Sequence, residues 1–435
     1  MMIYGAFMMG ILLLAVICGW STIKDFDWPM VFTGLLGLYL LICAYAAIGI
    51  FMSSLTSYQI VAAIGTFAVL MILSMIGGWW QEYDFIRDVT YWLSINGRCS
   101  TFIGGLICSE DVLYFVIVVC LFLALTIIRL NSVRQKIRFV ITLGRNIGVI
   151  FLACFLGYLS ALPQMKLYHD ATSTKINTLT PNSQEIVKKL EGGLTITTYS
   201  NLLDDDFMKA IPRYQNYDKS NFREYIRFKP EIKLKSYYYY DNAAGANASR
   251  EEMDKAIERL VLTSDINPKS ILTPEQMREK IDLSTQEYRY VFLIERENGQ
   301  KAFLRMFNDQ GKYPSEAEIS AALKTMVSKS PQVAFLGGHG ERSIHDKSGI
   351  NYTSFTTILD SRGALINQGY TPYTLTLSAG GDIPADVDVL VVADLRKALT
   401  DDELIQVKRY IERGGNLSVI GEPRRQEYTA PVLEQ

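Results

Sequence analysis

The sequence is poor in histidine. Three occur in 435 residues (His169, His339 and His345), which excludes a histidine-rich metal centre. Charge is sparse as well: 43 basic side chains face 45 acidic ones, net −2, and the charged fraction of 20% falls below the ~25% of an average soluble domain. A near-neutral balance excludes a nucleic-acid binder held by bulk electrostatics. No G-x-x-x-x-G-K-[ST] phosphate loop occurs, so the chain has no nucleotide-hydrolysing loop of that kind. No G-x-S-x-G elbow occurs either, and no cysteine follows Cys154. Apolar side chains are plentiful, at 49%, and exclude wholesale disorder. At roughly 100–200 residues per domain the length allows two to four domains.

The averages conceal a split. Residues 1–164 are strongly apolar; residues 165–435 read as an ordinary soluble α/β sequence. All six cysteines lie in the first part. Cys18, Cys43, Cys120 and Cys154 sit in apolar runs as small hydrophobes. Cys99 and Cys108 share a polar loop, which leaves open a disulfide in an extracytoplasmic setting or two free thiols.

Five segments, 3–20, 30–52, 60–80, 112–130 and 145–163, approach the ~20 apolar residues needed to cross a ~30 Å hydrocarbon core. The first lacks a basic leader and is followed by another span, so it does not read as a signal peptide. Segment 129–145 carries Arg129, Arg134, Lys136, Arg138 and Arg145 without an acid and is placed in the cytoplasm. Loop 81–111 carries Glu82, Asp84, Asp88, Glu110 and Asp111 against Arg87 and Arg98 and is placed outside. The N-terminus is then cytoplasmic and residues 165–435 are extracytoplasmic. Phe85, Trp92, Phe102 and Leu106 make parts of loop 81–111 apolar, as interfacial or re-entrant helices are, or as an ordinary loop packed on its neighbours is. The spans hold ionisable groups only at their ends, which argues against a proton-driven transporter. Small residues such as Ala44, Ala47, Gly49, Ala62, Ala63 and Gly65 suit close helix packing.

The soluble half opens with a helix over 182–191, with Thr180-Pro181 as its start. Strands are expected at 194–200 and 231–240, and a hairpin over 287–307 turning at Glu297-Asn298-Gly299. Capping boxes at Ser249/Glu252, Ser315/Glu318 and Thr400/Glu403 mark three more helices. From 331 the pattern is βαβαβ: strand 332–336, helix 352–367, strand 371–377, strand 387–393, helix 400–413 ending at Gly414-Gly415, and strand 416–421. This predicts a doubly wound α/β domain, with ligand loops at the carboxyl ends of its strands.

The most suggestive local motif is Gly337-Gly338-His339-Gly340-Glu341. Glycines after a buried strand expose backbone N–H groups to an anion, and His339 with Glu341 makes either ligand contacts or an acid–base pair. A purely structural turn is the competing reading. Catalysis lacks a nucleophile, and His339 with His345 lacks a third metal ligand. Tyr237–Tyr240 reads as core packing, and Asp204-Asp205-Asp206 as a solvated acidic loop. No catalytic, cofactor or metal residue is assigned.

Two family resemblances are carried by several stretches of the chain. GLLGLYLLICAYAAIGIFMSSLTSYQIVAAIGTF (34–67), with Ile48-Gly49, Ser53-Ser54-Leu55-Thr56 and Gln59 before Ala62-Ala63, resembles the permease of type 2 ABC exporters, in particular the gliding-motility branch (GldF-like). TFIGGLICSEDVLYF (101–115) resembles the stretch before that family's last span, which implies that 81–111 is an outer-leaflet helical hairpin. The chain departs from the family's His-Phe pattern at Arg98-Cys99. Residues 168–201, opening on Asp170-Ala171-Thr172, resemble the start of the gliding-motility auxiliary component (GldG-like). VAFLGGHGERS (333–343) together with 388–423 resembles its ABC-transporter auxiliary domain, whose fold is related to class I amidotransferases. The resemblances imply a permease (1–130), a basic linker with a fifth span (131–164), an extracytoplasmic α+β segment (165–330) and an auxiliary domain (331–435), with family sequence missing at both ends.

The resulting expectation is an inner-membrane ABC transporter subunit, an exporter, without its own ATPase. Its implied partners are the lipid bilayer, a cytoplasmic ABC ATPase, a second permease copy, and a transported substrate or envelope component. The rival expectation is a membrane-anchored envelope scaffold with no transport activity.

Overall fold

The computed structural model describes residues 2–81, 83–162, 165–264 and 266–435; Glu82, one of the acids of loop 81–111, lies outside the described residues. The chain divides into two compact units, 1–179 and 180–435.

The first unit is helical. Its elements are α1 (Met2–Thr22), α2 (Trp28–Leu55), α3 (Gln59–Met75, extended by a 3-10 turn Ile76–Gly78), α4 (Asp84–Leu93), α5 (Arg98–Ile103), β1 (Leu106–Cys108), α6 (Ser109–Gln135), α7 (Phe139–Ala161) and β2 (Tyr168–Asp170). Each of the five expected apolar segments coincides with a helix. Four stretches, Trp28–Leu55, Gln59–Gly78, Ser109–Gln135 and Phe139–Ala161, are long and apolar enough to cross a bilayer; α1 holds a shorter apolar stretch, Phe7–Thr22. Ala44 and Ile48 of α2 meet Phe102, Tyr114 and Phe115 in the unit's core. Of the small residues singled out, those of α2 pack closely: Ala44, Ala47 and Gly49 are buried, whereas α3 buries none of its described residues and leaves Ala63 exposed. The apolar side chains left open on α1, α3 and α7, such as Phe67 and Phe151, suit lipid or further helices.

The basic segment 129–145 is not the loop its charges imply. α6 runs on to Gln135 and α7 begins at Phe139, leaving a three-residue turn. Lys136 takes the left-handed conformation (φ +49°) that ends α6, and the Ser132 and Thr142 hydroxyls join the helices at 2.7 Å. Such short connections make antiparallel helix pairs.

Three loops distant in sequence meet at one end of the helices. β1 pairs antiparallel with β2, Leu106 opposite Asp170. Asp27 caps α2 through Met30 N and also accepts from the N–H and hydroxyl of Ser173, both at 2.9 Å. Ala171 N donates to Gly105 O. A side chain at Gly105 (φ +81°) would strike the Thr172 methyl at 2.4 Å, so the close approach of the two segments requires glycine. All six cysteines are free thiols, which resolves the Cys99–Cys108 alternative in favour of two thiols.

The second unit contains two sheets. The first is mixed, in the order β5-β4-β3-β6-β7, from β3 (Leu194–Asn201), β4 (Lys233–Tyr239), β5 (Ile271–Leu272), β6 (Val291–Arg296) and β7 (Lys301–Arg305). Around it lie α8 (Pro181–Lys189), α9 (Arg250–Thr263), α10 (Pro274–Lys280) and α11 (Glu316–Thr325). Tyr199, Tyr239, Met277 and Leu293 share a core cluster of this part, so the tyrosine run serves packing in part. The expected hairpin turns at Gly299, with φ +86°. All three expected capping boxes form, and a fourth joins Thr273 to Gln276.

The second sheet is parallel, in the order β11-β10-β8-β9, from β8 (Gln332–Gly337), β9 (Thr371–Thr376), β10 (Val389–Ala393) and β11 (Asn416–Ile420), with α12 (Asp401–Glu412) and α13 (Gln426–Leu433). Leu390 and Val392 enter one core cluster, Val391 and Ala393 another. Burial on both faces is why this strand is continuously apolar. The expected helix 352–367 is a correction: only Thr353–Thr356 is α-helical, with a 3-10 turn at Leu365–Asn367. The hydroxyls of Thr353, Thr356 and Thr357 bond to carbonyls of 344 and 346 instead. Such side-chain bonds compete with continued helix.

Candidate functional site

The chain leaves β8 for β9 on one side and returns to β10 on the other. That reversal opens the ends of β8 and β10 toward one crevice, the usual ligand position in open α/β sheets. The glycine-rich motif lies there. Gly337 ends β8, and Gly338 and Gly340 have φ of +119° and +80°, conformations that glycine adopts without steric cost.

His339 is nearly buried, at 9% exposure. Its Nδ1 lies 3.2 Å from Glu341 Oε1 and its Nε2 lies 3.1 Å from Glu403 Oε2. Glu341 also accepts the His339 N–H at 2.7 Å. The ring thus sits between two carboxylates, one at each nitrogen. Glu403 belongs to the capping box of α12 and accepts the N–H and hydroxyl of Thr400. Burial works to raise the Glu403 carboxyl, but the bonds from Thr400 and the His339 ring outweigh it and hold the group below its ordinary range.

The loop after β10 supplies a second cluster. Asp394 has φ +52° and is 5% exposed. It accepts from Arg342 Nε at 2.9 Å, and Arg396 and Arg425 approach it at 3.8 and 3.5 Å. The Asp394 Oδ1 and Arg425 Nη1 atoms are buried without a hydrogen bond. Arg396 N donates to His339 O, so the two loops are tied. Three guanidiniums surround Asp394, but Glu341, Glu403 and Glu422 lie in the same cluster, so the crevice carries no excess of positive charge; the Arg425 Nη1 left without a hydrogen bond is the group that suits an anion. The sequence marked His339 and Glu341 but missed Glu403, Asp394, Arg342, Arg396 and Arg425. The available signals were the Thr400 capping box and the position just after a buried strand.

The permease-like motif residues lie in the first unit. Gly49 is buried in α2; Ser53 and Gln59 are exposed. Ser54 Oγ donates to Phe51 O, Thr56 caps the end of α2, and the Thr56 hydroxyl accepts Tyr58 N. The motif therefore builds the turn from α2 into α3. A polar cluster centred on Arg98 draws in Asp111 and Tyr114 of the 101–115 stretch. Arg98 Nη1 bonds Asp111 Oδ1 at 2.8 Å and its Nη2 bonds Trp92 O at 2.9 Å. Its guanidinium lies 4.2 Å over the Tyr114 ring. The helical hairpin of 81–111 is anchored by these bonds.

Among the comparisons with known proteins, residues 330–431, from the approach to β8 through most of α13, match the family model described as an ABC-type uncharacterized transport system. No curated protein and no solved structure matches the chain. The match supports reading this parallel-sheet part as the auxiliary domain of an ABC transport system, and with the apolar helices it is consistent with a membrane component of such a system.

Proposed function

We propose that the chain is an inner-membrane subunit of an ABC exporter of the gliding-motility type, a permease segment fused to an auxiliary domain. The observation that carries the reading is the family match at 330–431 on a chain with four helices long and apolar enough to cross a bilayer. The protein crosses the membrane several times, with the N-terminus cytoplasmic and residues 165–435 periplasmic. The basic turn between α6 and α7 favours the cytoplasmic side, and the meeting of the Asp27, Leu106 and Tyr168 loops at one end fits their common placement outside. ATP hydrolysis belongs to a separate subunit, in keeping with the missing phosphate loop. The permease part pairs with a second copy. The crevice at His339 and Asp394 receives an anionic group of the substrate or of an envelope partner, without catalysis.

One observation favours the scaffold alternative: the ionisable side chains of the crevice are largely paired with one another. Affinity purification of the detergent-solubilised chain, with ATPase assays on the eluate, separates the two. Co-purification of an ATPase whose turnover depends on α2–α7 supports the transporter. Recovery with envelope proteins on 180–435 and no ATPase overturns it.

A further inference from the structure

Away from that crevice, the second unit holds a partly open pocket of about 250 Å³ whose lining includes Asp204, Gln286, Arg289, Arg305, Lys312 and Asp360. We propose that this cavity binds a small carboxylate, with Arg305 as the residue that receives it. Arg305 closes β7 and is 8% exposed. Its Nε donates to Gln286 Oε1 and its Nη1 to Asn367 Oδ1, both at 2.8 Å. Both acceptors are neutral amides. Among the described residues no carboxylate pairs with Arg305, and its Nη2 has no hydrogen bond. The other cations of the cavity are neutralised. Arg289 pairs with Glu287 and Asp360, each at 3.1 Å, and Lys312 pairs with Asp206 at 3.4 Å.

A buried guanidinium without a counter-charge is costly, and its environment responds accordingly: burial alone brings the Arg305 pKa down to about 10. A carboxylate supplies the missing charge in the planar geometry a guanidinium prefers. Phosphate fits less well, because Asp204 and Asp360 also line the cavity and would repel a dianion. The amide partners have a structural part too. Asn367 Nδ2 holds the carbonyls of Leu359 and Ser361, so Arg305 is held at both Nε and Nη1 before any ligand arrives. The site lies outside the crevice at His339 and stands apart from the transporter reading: failure to recover an ATPase leaves it untouched.

The test uses the full-length chain in detergent, with sodium acetate as probe against sodium chloride at equal ionic strength. Calorimetric unfolding of the second unit and acetate binding by saturation-transfer NMR are the readouts. Acetate, and not chloride, raises the unfolding temperature of the natural chain. Arg305→Gln weakens acetate binding at least roughly tenfold. That variant alone could lose the fold, so Gln286→Glu provides the second arm. It places an internal carboxylate on Arg305 Nε with little change of shape, so it raises the baseline unfolding temperature and abolishes the acetate response. An acetate response no larger than that of chloride, or one kept in Gln286→Glu, overturns the site. Stronger stabilisation by phosphate than by acetate overturns the carboxylate assignment.

Discussion

Arg98 Nη1 lies 2.8 Å from Asp111 Oδ1, and both side chains are nearly buried. Thr101 completes the carboxylate at 2.9 Å, and Tyr114, under the guanidinium, donates to Leu93 O at 2.8 Å. The pair fastens α5, at its first residue, to the start of α6.

Breaking one side of this pair should be worse than removing both. Asp111→Asn leaves the buried guanidinium only its longer contact to Glu110 at 3.8 Å and is expected to cost up to about 3–5 kcal/mol. The double change Arg98→Met with Asp111→Leu keeps an apolar fill and should be milder. Thermal unfolding in detergent, read by tryptophan fluorescence, checks this; Trp92 reports directly because its carbonyl accepts from Arg98. A double variant as unstable as Asp111→Asn would contradict the argument.

Asp170 plays a comparable part for the segment that leaves α7. Its carboxylate accepts from Thr172 N and Oγ1, Asn177 N and Thr178 Oγ1, at 2.6–3.0 Å. Burial would raise this carboxyl, but the hydrogen bonds win and hold it below its ordinary range. Asp170→Ala strands these donors, at about 1–3 kcal/mol for each one left without water. The expected readout is faster tryptic cleavage after Lys175, whose ammonium bonds Asp170 O. Because the folded pKa is depressed, the clamp's contribution is complete above the ordinary aspartate range and declines as pH falls through the folded value. Cleavage of the natural chain by an acid-active protease should therefore accelerate below about pH 4, and that of Asp170→Ala should not.

Gly157 of α7 faces the Trp92 ring so closely that a Cβ would lie 2.0 Å from it. Gly157→Ala should therefore push α4 away from α7, with about 1–3 kcal/mol of overpacking cost. Pairing it with Trp92→Leu should restore much of the loss. Unfolding temperatures of the single and double variants decide the point, and independent, additive losses would refute it.

What the sequence discloses here follows the range of the interaction. The capping boxes at Ser249, Ser315 and Thr400 were legible because each closes within three residues. The longer strands were legible because burial on one or both faces fixes their pattern, whereas β1, β2 and β5, two or three residues each, are too short to show one. The helix expected at 352–367 failed because its threonines found carbonyl partners outside the helix. The basic segment 129–145 misled because charge marks the membrane boundary and not where a helix stops. The clusters that bear on function were mostly hidden. Arg305 reaches Gln286 and Asn367 across 19 and 62 residues, and Arg342 reaches Asp394 across 52. Only His339 and Glu341, two residues apart, could be read together, and even there Glu403 entered from a helix 64 residues away.

That third partner makes the glycine-rich loop sensitive to acid. Glu403 ties the loop after β8 to the first turn of α12, and its carboxyl is held below its ordinary range despite partial burial. A depressed folded pKa means that the stabilisation is fully present above the ordinary glutamate pKa of about 4.3 and is lost as pH falls through the folded value. Glu403→Gln removes the charge. It should be less stable than the natural chain at pH 7, and the gap should close toward pH 3. His339→Gln should act on the same curve by a different route: without the imidazole, the acid loss begins at higher pH because Glu403 moves back toward its ordinary value. Calorimetric unfolding of the second unit of the full-length chain between pH 3 and 7 measures all three curves. If Glu403→Gln and the natural chain lose stability in parallel across that range, the ring–carboxylate contact contributes nothing to holding the loop, and the crevice at the end of β8 is shaped by its glycines alone.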